Sequence, residues 1–330
     1  MAGHFATRTK RLGPDVLLPA LGDLEGKDEA KRKVAEIIVN ALAAVDSGRD
    51  KAPALSDQLV FLTSREIENA KSIAMSILRD ELDLPQKKEK KARAIAERVL
   101  ERVPATVDIG LFGRMLTGTD NVSQEFSRDA ACQVAHAITT HKAFVENDYF
   151  TALDDLAHNQ ASAHIDEAGF GSGVFYVYAC VDRALLLENL GGDRELAGRA
   201  IEAFVEAFAL ASPSGKKNSF ANRVRAEFLL AERGDRQPRT LASAFLRAVN
   251  AERAGGDLMR ASIQALARKR AAFERAYGRD WAEEQHMNAC EERMSEADPF
   301  AVGAVALGQL AAFAAADMEG VPMPAEQVPA

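Results

Sequence analysis

Val107-Asp-Ile-Gly-Leu-Phe-Gly-Arg-Met115 opens the most telling part of the chain, residues 107–192. Ala135-His-Ala-Ile-Thr-Thr-His141 follows, then Asp148-Tyr-Phe-Thr-Ala-Leu-Asp-Asp155. Gly171-Ser-Gly-Val-Phe-Tyr-Val-Tyr178 and Glu188-Asn-Leu-Gly-Gly192 close it. Residues 107–112 are short and apolar and predict a strand. Residues 134–140 alternate, with Val134, Ile138 and Thr140 on one side and Ala135, Ala137 and Thr139 on the other. Residues 173–181 give the clearest strand: Phe175, Val177, Ala179 and Val181 oppose Val174, Tyr176, Tyr178 and Cys180. A helix starts at Arg183 and is stopped by Gly191-Gly192.

Working outward, the first residues predict the end of a helix running into a loop at 12–15. Helices are expected over 27–45, from the capping box Thr63-Ser-Arg-Glu66 onward, and over 87–103 with a basic first half. Further helices are expected over 195–211, 241–249 and 262–277, with a strand over 223–230. The acidic segments 23–36 and 283–298 also look helical, and 301–316 predicts a C-terminal helix. The strand–strand–helix–strand order from 134 to 230 fits part of an α+β sandwich of the RNA-recognition type.

The bulk numbers exclude several classes. The chain has 330 residues, 47% hydrophobic and 27% charged, which is ordinary globular composition. No apolar run reaches the roughly 20 residues of a membrane-spanning helix. The first ten residues lack the apolar centre of a signal peptide. Cys132, Cys180 and Cys290 are odd in number and far apart, as expected of reduced thiols in a cytoplasmic protein. The net charge of −8 disfavours a uniformly basic surface but leaves room for a local positive groove.

A catalytic constellation is not found. His136 and His141 are an odd number of residues apart, hence on opposite faces of a strand, and neither belongs to a zincin motif. Gly169-Phe-Gly-Ser-Gly173 precedes a strand instead of joining strand to helix, so it lacks the helix N-terminus that holds a phosphate. Asp154-Asp155 is more simply a solvated turn. No metal, no cofactor and no enzymatic activity are therefore expected. If an enzyme site is hidden here, its polar candidates are His136, His141, His158 and His164. Segment 142–171 is too long for a tight turn, which takes about 2–5 residues. It carries Tyr149, Phe150, Leu153 and Leu156. Those side chains either tuck back onto their own domain or cap an arm that wedges between bases or grips a protein partner.

Taken as an ordered series, these motifs resemble the RNA-binding backbone subunit of Cascade, the type I-E CRISPR surveillance complex. The likeness is close over 107–192 and loose over most of the rest. It implies an α+β fold with an RNA-recognition-motif-like (ferredoxin-like) palm, helical fingers and a β-hairpin thumb. The implied division is 1–26, a remnant of the first palm helix and loop; 27–106, fingers; 107–141, palm strands; 142–171, thumb; 172–320, palm and C-terminal helices; and 321–330, a loose tail. The family's initial strand and basic loop have no counterpart here, so an incomplete palm sheet and weakened RNA binding are expected. The resemblance implies a subunit that assembles in several copies on CRISPR RNA. Its other partners would be target DNA, reached through the guide, and the remaining Cascade subunits, in antiviral defence. Its implied RNA contacts are Arg114 and Met115 of Gly-Arg-Met, the aromatic pair and threonine Tyr149, Phe150 and Thr151, and Lys216 and Lys217 of a Gly-and-Lys turn. Arg8 and Lys10 are weaker candidates for the same groove. Lys87–Lys91 reads as a solvated helix face or a contact to target DNA. The competing function is a non-enzymatic protein–protein adaptor with an aromatic arm.

Overall fold

The structure is a computed structural model. It describes residues 5–22, 24–46, 53–104, 106–118, 125–153, 162–250, 252, 256–290 and 294–322, with the backbone alone at 152–153 and 162–165. Helix and strand are mixed in an α+β chain that divides into two compact units. Unit 1 is Met1–Gln133, Val181–Ala200 and Asp317–Ala330; unit 2 is Val134–Cys180 and Ile201–Ala316.

Unit 1 begins with β1 (Thr7–Thr9), a π-helical turn over Leu12–Leu17 and α1 (Leu18–Gly22). The expected helix end at the start of the chain is thus a strand, because β1 pairs antiparallel with β2 (Val60–Leu62). α2 (Asp28–Leu42), α3 (Ser64–Leu78) and α4 (Lys88–Val99) are the three helices foreseen from periodicity. α2 turns Val34, Ala35, Ile38, Val39, Ala41 and Leu42 inward, and α4 adds Ala92, Ile95, Ala96 and Val99. These residues form one buried cluster with Leu12, Leu17, Leu62 and Phe126. The capping box is present: Thr63 Oγ1 accepts from the Glu66 N–H, and Glu66 accepts from the Thr63 N–H.

Residues expected as the first palm strand are α5 (Val107–Phe112). Such a short apolar run is ambiguous by period, and tertiary packing settles it. A Cβ on Gly110 would lie 3.1–3.3 Å from the side chains of Leu186 on α6 (Arg183–Asn189) and of Leu190, the residue that caps its end. Asn189 Nδ2 also donates to the Gly110 carbonyl at 3.1 Å. Gly113 ends the helix at φ 77°, where a side chain would stand 2.8 Å from the Arg128 carbonyl oxygen.

In chain order the strands after α5 are β3 (Cys132–Val134), β4 (Ile138–Thr139), β5 (Val145–Leu153), β6 (Ser162–Gly171), β7 (Phe175–Tyr176) and β8 (Ala179–Val181). The two long strands expected over 134–140 and 173–181 are each broken in two. β3 pairs with β8 and β4 with β7. α7 (Arg194–Leu210) and the one-turn α8 (Lys217–Phe220) follow α6. The strand expected from 223 starts later, as β9 (Phe228–Arg233), and the helix expected over 241–249 shrinks to a 3-10 turn, Ala242–Phe245. α9 (Leu258–Tyr277) begins earlier than foreseen, because the Asp257 carboxylate caps it through the Arg260 N–H.

The acidic segment at 283 is not helical but forms β10 (Glu283–Asn288), antiparallel to β9. Its carboxylates are neutralised by arginines that sequence periodicity cannot locate. Glu283 pairs with Arg233, and Glu284 with Arg270 of α9. Arg270 and Arg239 both hold Glu232 at 2.7 Å. Burial alone would push the Glu232 carboxyl up, but those two guanidiniums outweigh it and hold it below the usual carboxylate range. Arg239 and Arg270 also lie over the Trp281 ring, 4.5 and 3.9 Å from its centroid. α10 (Leu307–Ala315) is the C-terminal helix and buries Leu310, Ala311 and Ala315. No described helix is long and apolar enough to cross a membrane.

Candidate nucleic-acid interface

Segment 142–171 is a long antiparallel hairpin in unit 2. β5 and β6 pair from Val145↔Gly171 to Leu153↔Ser162, with an irregularity between Ala152 and Leu153. Its base is clasped by backbone and by one histidine. The Thr140 N–H donates to the Val174 carbonyl at 3.0 Å, and the Val174 N–H donates to His141 Nε2 at 3.1 Å. His141 Nδ1 then donates to the Lys142 carbonyl at 3.0 Å. His141 is therefore a structural clasp. His136 is exposed, while His158 and the side chain of His164 lie outside the described residues. Among the described residues no cluster of His, Cys, Asp and Glu could hold a metal ion.

Both faces of the ribbon meet solvent. Every residue from Val145 to Thr151 is exposed, Tyr149 at 64% and Phe150 at 44%. Because neighbours on a strand point to opposite faces, the two rings cannot act as one platform. Tyr149 shares its face with Val145, Asn147, Thr151 and, across the ladder, Glu167; Phe150 shares the other with Glu146, Asp148, Asp166 and Phe170. Nor do the rings cap the tip. β5 continues to Leu153, about 13 Å beyond Tyr149 along the strand.

A basic segment is tied to the foot of this hairpin. The Phe170 ring meets Phe220 of α8 with centroids 5.3 Å apart. α8 is bounded by two non-glycine residues in the left-handed region, Lys216 at φ 55° and Ala221 at φ 49°. Lys216 and Lys217 are exposed there, as foreseen. Sequence reasoning missed Arg223 and Arg225, which it assigned to a strand. They lie before β9 in irregular backbone and are exposed. Residues 213–226 contain these four cations and no Asp or Glu. That local charge imbalance, visible in the sequence, was the available signal. Lys142 adds a fifth cation near the base, its Nζ 4.9 Å from the Phe144 ring centroid.

Arg114 and Met115 belong to unit 1 and separate into opposite roles. The expectation that Arg114 touches RNA is corrected by its burial: its side chain and that of Glu66 are both 0% exposed. Arg114 Nη1 donates to the two Glu66 oxygens at 2.9 and 2.8 Å. Its remaining nitrogens reach the carbonyls of Phe126 and Glu101. Glu66 also accepts the Thr63 and Glu101 N–H groups, each at 2.9 Å. The next residue, Met115, is 67% exposed. Gly-Arg-Met thus presents a methionine on a chain anchored from inside by the arginine. Of the weaker candidates, Arg8 is exposed on β1, and Lys10 is engaged by the Asp57 carbonyl.

A model of the CT1975-like protein family matches residues 1–314. The chain belongs to this CRISPR-associated family. Among curated proteins none matches this chain. Solved structures do. One chain of a structure described as a CRISPR RNA-guided surveillance complex, pre-nicking, superposes with a TM-score of 0.77 at 25% identity. That match covers 96% of this chain and 85% of the other. A chain from a second structure, a CRISPR RNA-guided surveillance complex, has a TM-score of 0.54 at 30% identity, covering 64% of this chain and 77% of that one.

Proposed function

We propose that this protein is the CRISPR RNA-binding backbone subunit of a type I-E Cascade surveillance complex. Several copies line one guide RNA, in contact with other Cascade subunits, and the guide pairs with target DNA in cytoplasmic antiviral defence. The chain contributes no catalytic chemistry of its own. Residues 142–171 act as the thumb of an RNA-recognition-like palm. The reading rests on one juxtaposition: an exposed aromatic hairpin whose foot carries a basic segment free of carboxylates. The likeness to chains of RNA-guided complexes supports it.

The division of labour follows from the chemistry. Lys216, Lys217, Arg223 and Arg225 hold phosphates, which fixes the register of the RNA without reading its sequence. Tyr149 offers a flat face to an unstacked base, and every base has a π-face, so any guide is accepted. Thr151 borders that contact on the same face, and Phe150 offers a separate apolar contact on the other. Met115, exposed on unit 1, offers a separate apolar contact to RNA. The guide then reads DNA by base pairing while the protein reads backbone and shape.

Anisotropy of a labelled guide-length RNA across a salt series tests this. Each phosphate contact on a single strand contributes about −0.7 to the slope of log K against log salt. Replacing both Arg223 and Arg225 by Gln is expected to flatten the slope by about 1.4. An affinity that ignores salt would favour the protein adaptor and overturn the assignment.

A further inference from the structure

The far end of α9 carries a basic patch that stands apart from the hairpin. Ser262, near the start of the helix, hydrogen-bonds Thr140 at the hairpin base, Oγ to Oγ1 at 2.8 Å. Tyr277 lies about 22 Å further along the axis. β9 separates the two places as well: the basic segment 213–226 precedes Phe228, whereas the turn containing Arg236 follows Arg233.

Residues 264–281 hold five cations and two carboxylates. Arg270 and Arg279 are engaged with Glu284, and Asp280 with Arg239. Arg268, Lys269 and Arg275 make no ion pair among the described residues, which leaves them opposed by Glu274. Arg268 and Arg275 are two turns apart on one side of the helix, about 10 Å along its axis. Arg236 adds a further cation, with Asp235 before it: a Cβ on Gly278 would lie 3.9 Å from its Nη1. Tyr277 stands among these charges and is 74% exposed. Phe273 meets it edge-on with ring centroids 6.0 Å apart, and Lys269 Nζ lies 4.5 Å from the Phe273 centroid. Arg275, in the last turn, also offsets the negative end of the helix dipole, which alone would repel an anion.

An exposed ring set among unpaired cations suits one kind of ligand. Protein interfaces keep charge away from their centres. Duplex DNA hides its base faces in the stack. A single strand offers phosphates to the cations and an open π-face to the ring. We propose that the α9 patch of Arg268, Lys269, Arg275 and Tyr277 binds the DNA strand displaced when the guide pairs with its target. The proposal deepens the backbone-subunit reading, on which it rests: the foot of the hairpin holds the guide, and the far end of α9 holds the unpaired DNA strand.

Anisotropy of a labelled, guide-length oligodeoxythymidylate tests it, using full-length protein already saturated with guide-length RNA. The loaded protein should still bind the DNA. Arg268→Gln with Arg275→Gln should flatten the salt slope for DNA by about 1.4, two phosphate contacts at about 0.7 each, and leave the slope for RNA unchanged. Tyr277→Ala should weaken DNA binding by about 5- to 150-fold, the worth of one stacked base, and leave a duplex of the same length unaffected. All three side chains are exposed, so the variants should keep the wild-type melting temperature. Complete displacement of the DNA by guide RNA overturns the proposal, as does a duplex weakened equally by Tyr277→Ala. Variants with wild-type DNA affinity also overturn it and assign the patch to an acidic protein partner. DNA binding that these variants abolish, in a chain with no RNA affinity, would sink the proposed function and leave this site standing. Normal RNA binding with no DNA on the loaded protein would do the reverse.

Discussion

Replacing Glu66 by Gln tests the claim that Arg114 is an internal anchor. The amide keeps the shape and an acceptor oxygen but leaves a cation in a fully buried place without its counter-ion. Breaking a buried pair in this way costs about 3–5 kcal/mol. In a cooperative unit of 150–250 residues, each kcal/mol lowers the melting temperature by about 2–4 °C, so a drop of about 6–20 °C is expected. The Glu66→Met/Arg114→Met double variant removes both charges but strands the Thr63 and Glu101 N–H groups that Glu66 accepts. Those cost about 1–3 kcal/mol each, so the double variant stays destabilised yet loses less than the sum of the single Met variants. Thermal unfolding by circular dichroism measures all four proteins. Below its melting temperature, the Glu66→Gln protein should keep the wild-type salt slope for RNA, since the guanidinium never reaches solvent. A melting temperature within about 2 °C of wild type would mean that water reaches the pair, and would refute the reasoning.

Tyr149→Ala is expected to weaken guide RNA binding by about 1–3 kcal/mol, the worth of one stacked base, with the salt slope unchanged; the same anisotropy series measures it. Gly113→Ala meets both a positive φ and the Arg128 carbonyl at 2.8 Å, so it should destabilise unit 1 by more than the roughly 1 kcal/mol that a compatible Gly→Ala change gains. Asp298 has its carboxyl lowered to about 2 by the Ser295 N–H, then by Gln264, the Ser295 hydroxyl and Arg260. A lowered folded pKa contributes stability above the unfolded value and loses it as acid approaches the folded one. The clasp from Asp298 to α9 should therefore weaken from about pH 4 down to pH 2, and Asp298→Asn should flatten that part of an acid-unfolding curve.

Several elements were legible because their signals are local. The Thr63–Glu66 box needs only four residues to declare itself, and α2 and α4 each repeat apolar positions over three turns or more. The hairpin over 145–171 was legible as a long interruption between alternating segments. Residues 107–112 were not: a six-residue, mostly apolar run fits a strand or a buried helix equally, and Gly110 against Leu186 and Leu190 decides for helix. Segment 283–298 misled for another reason. Its acidic composition resembles a solvated helix, but Arg233 and Arg270 come from distant parts of the chain to neutralise a strand.

The candidate site divides in the same way. Tyr149, Phe150, Lys216, Lys217 and Met115 were marked by the family resemblance, which the order of short motifs carries; residue type alone left the two aromatics free to pack on their own domain. Three things came from folding. Arg114 was withdrawn into the interior by Glu66, a residue 48 positions away. Tyr149 and Phe150 were sent to opposite faces by the strand pleat. Arg223 and Arg225 came into play through the Phe170–Phe220 contact that ties their segment to the hairpin. Composition and spacing report what a residue can do. Which neighbour satisfies its charge, and which face it meets, depends on contacts between segments far apart in the chain, and no local pattern encodes them.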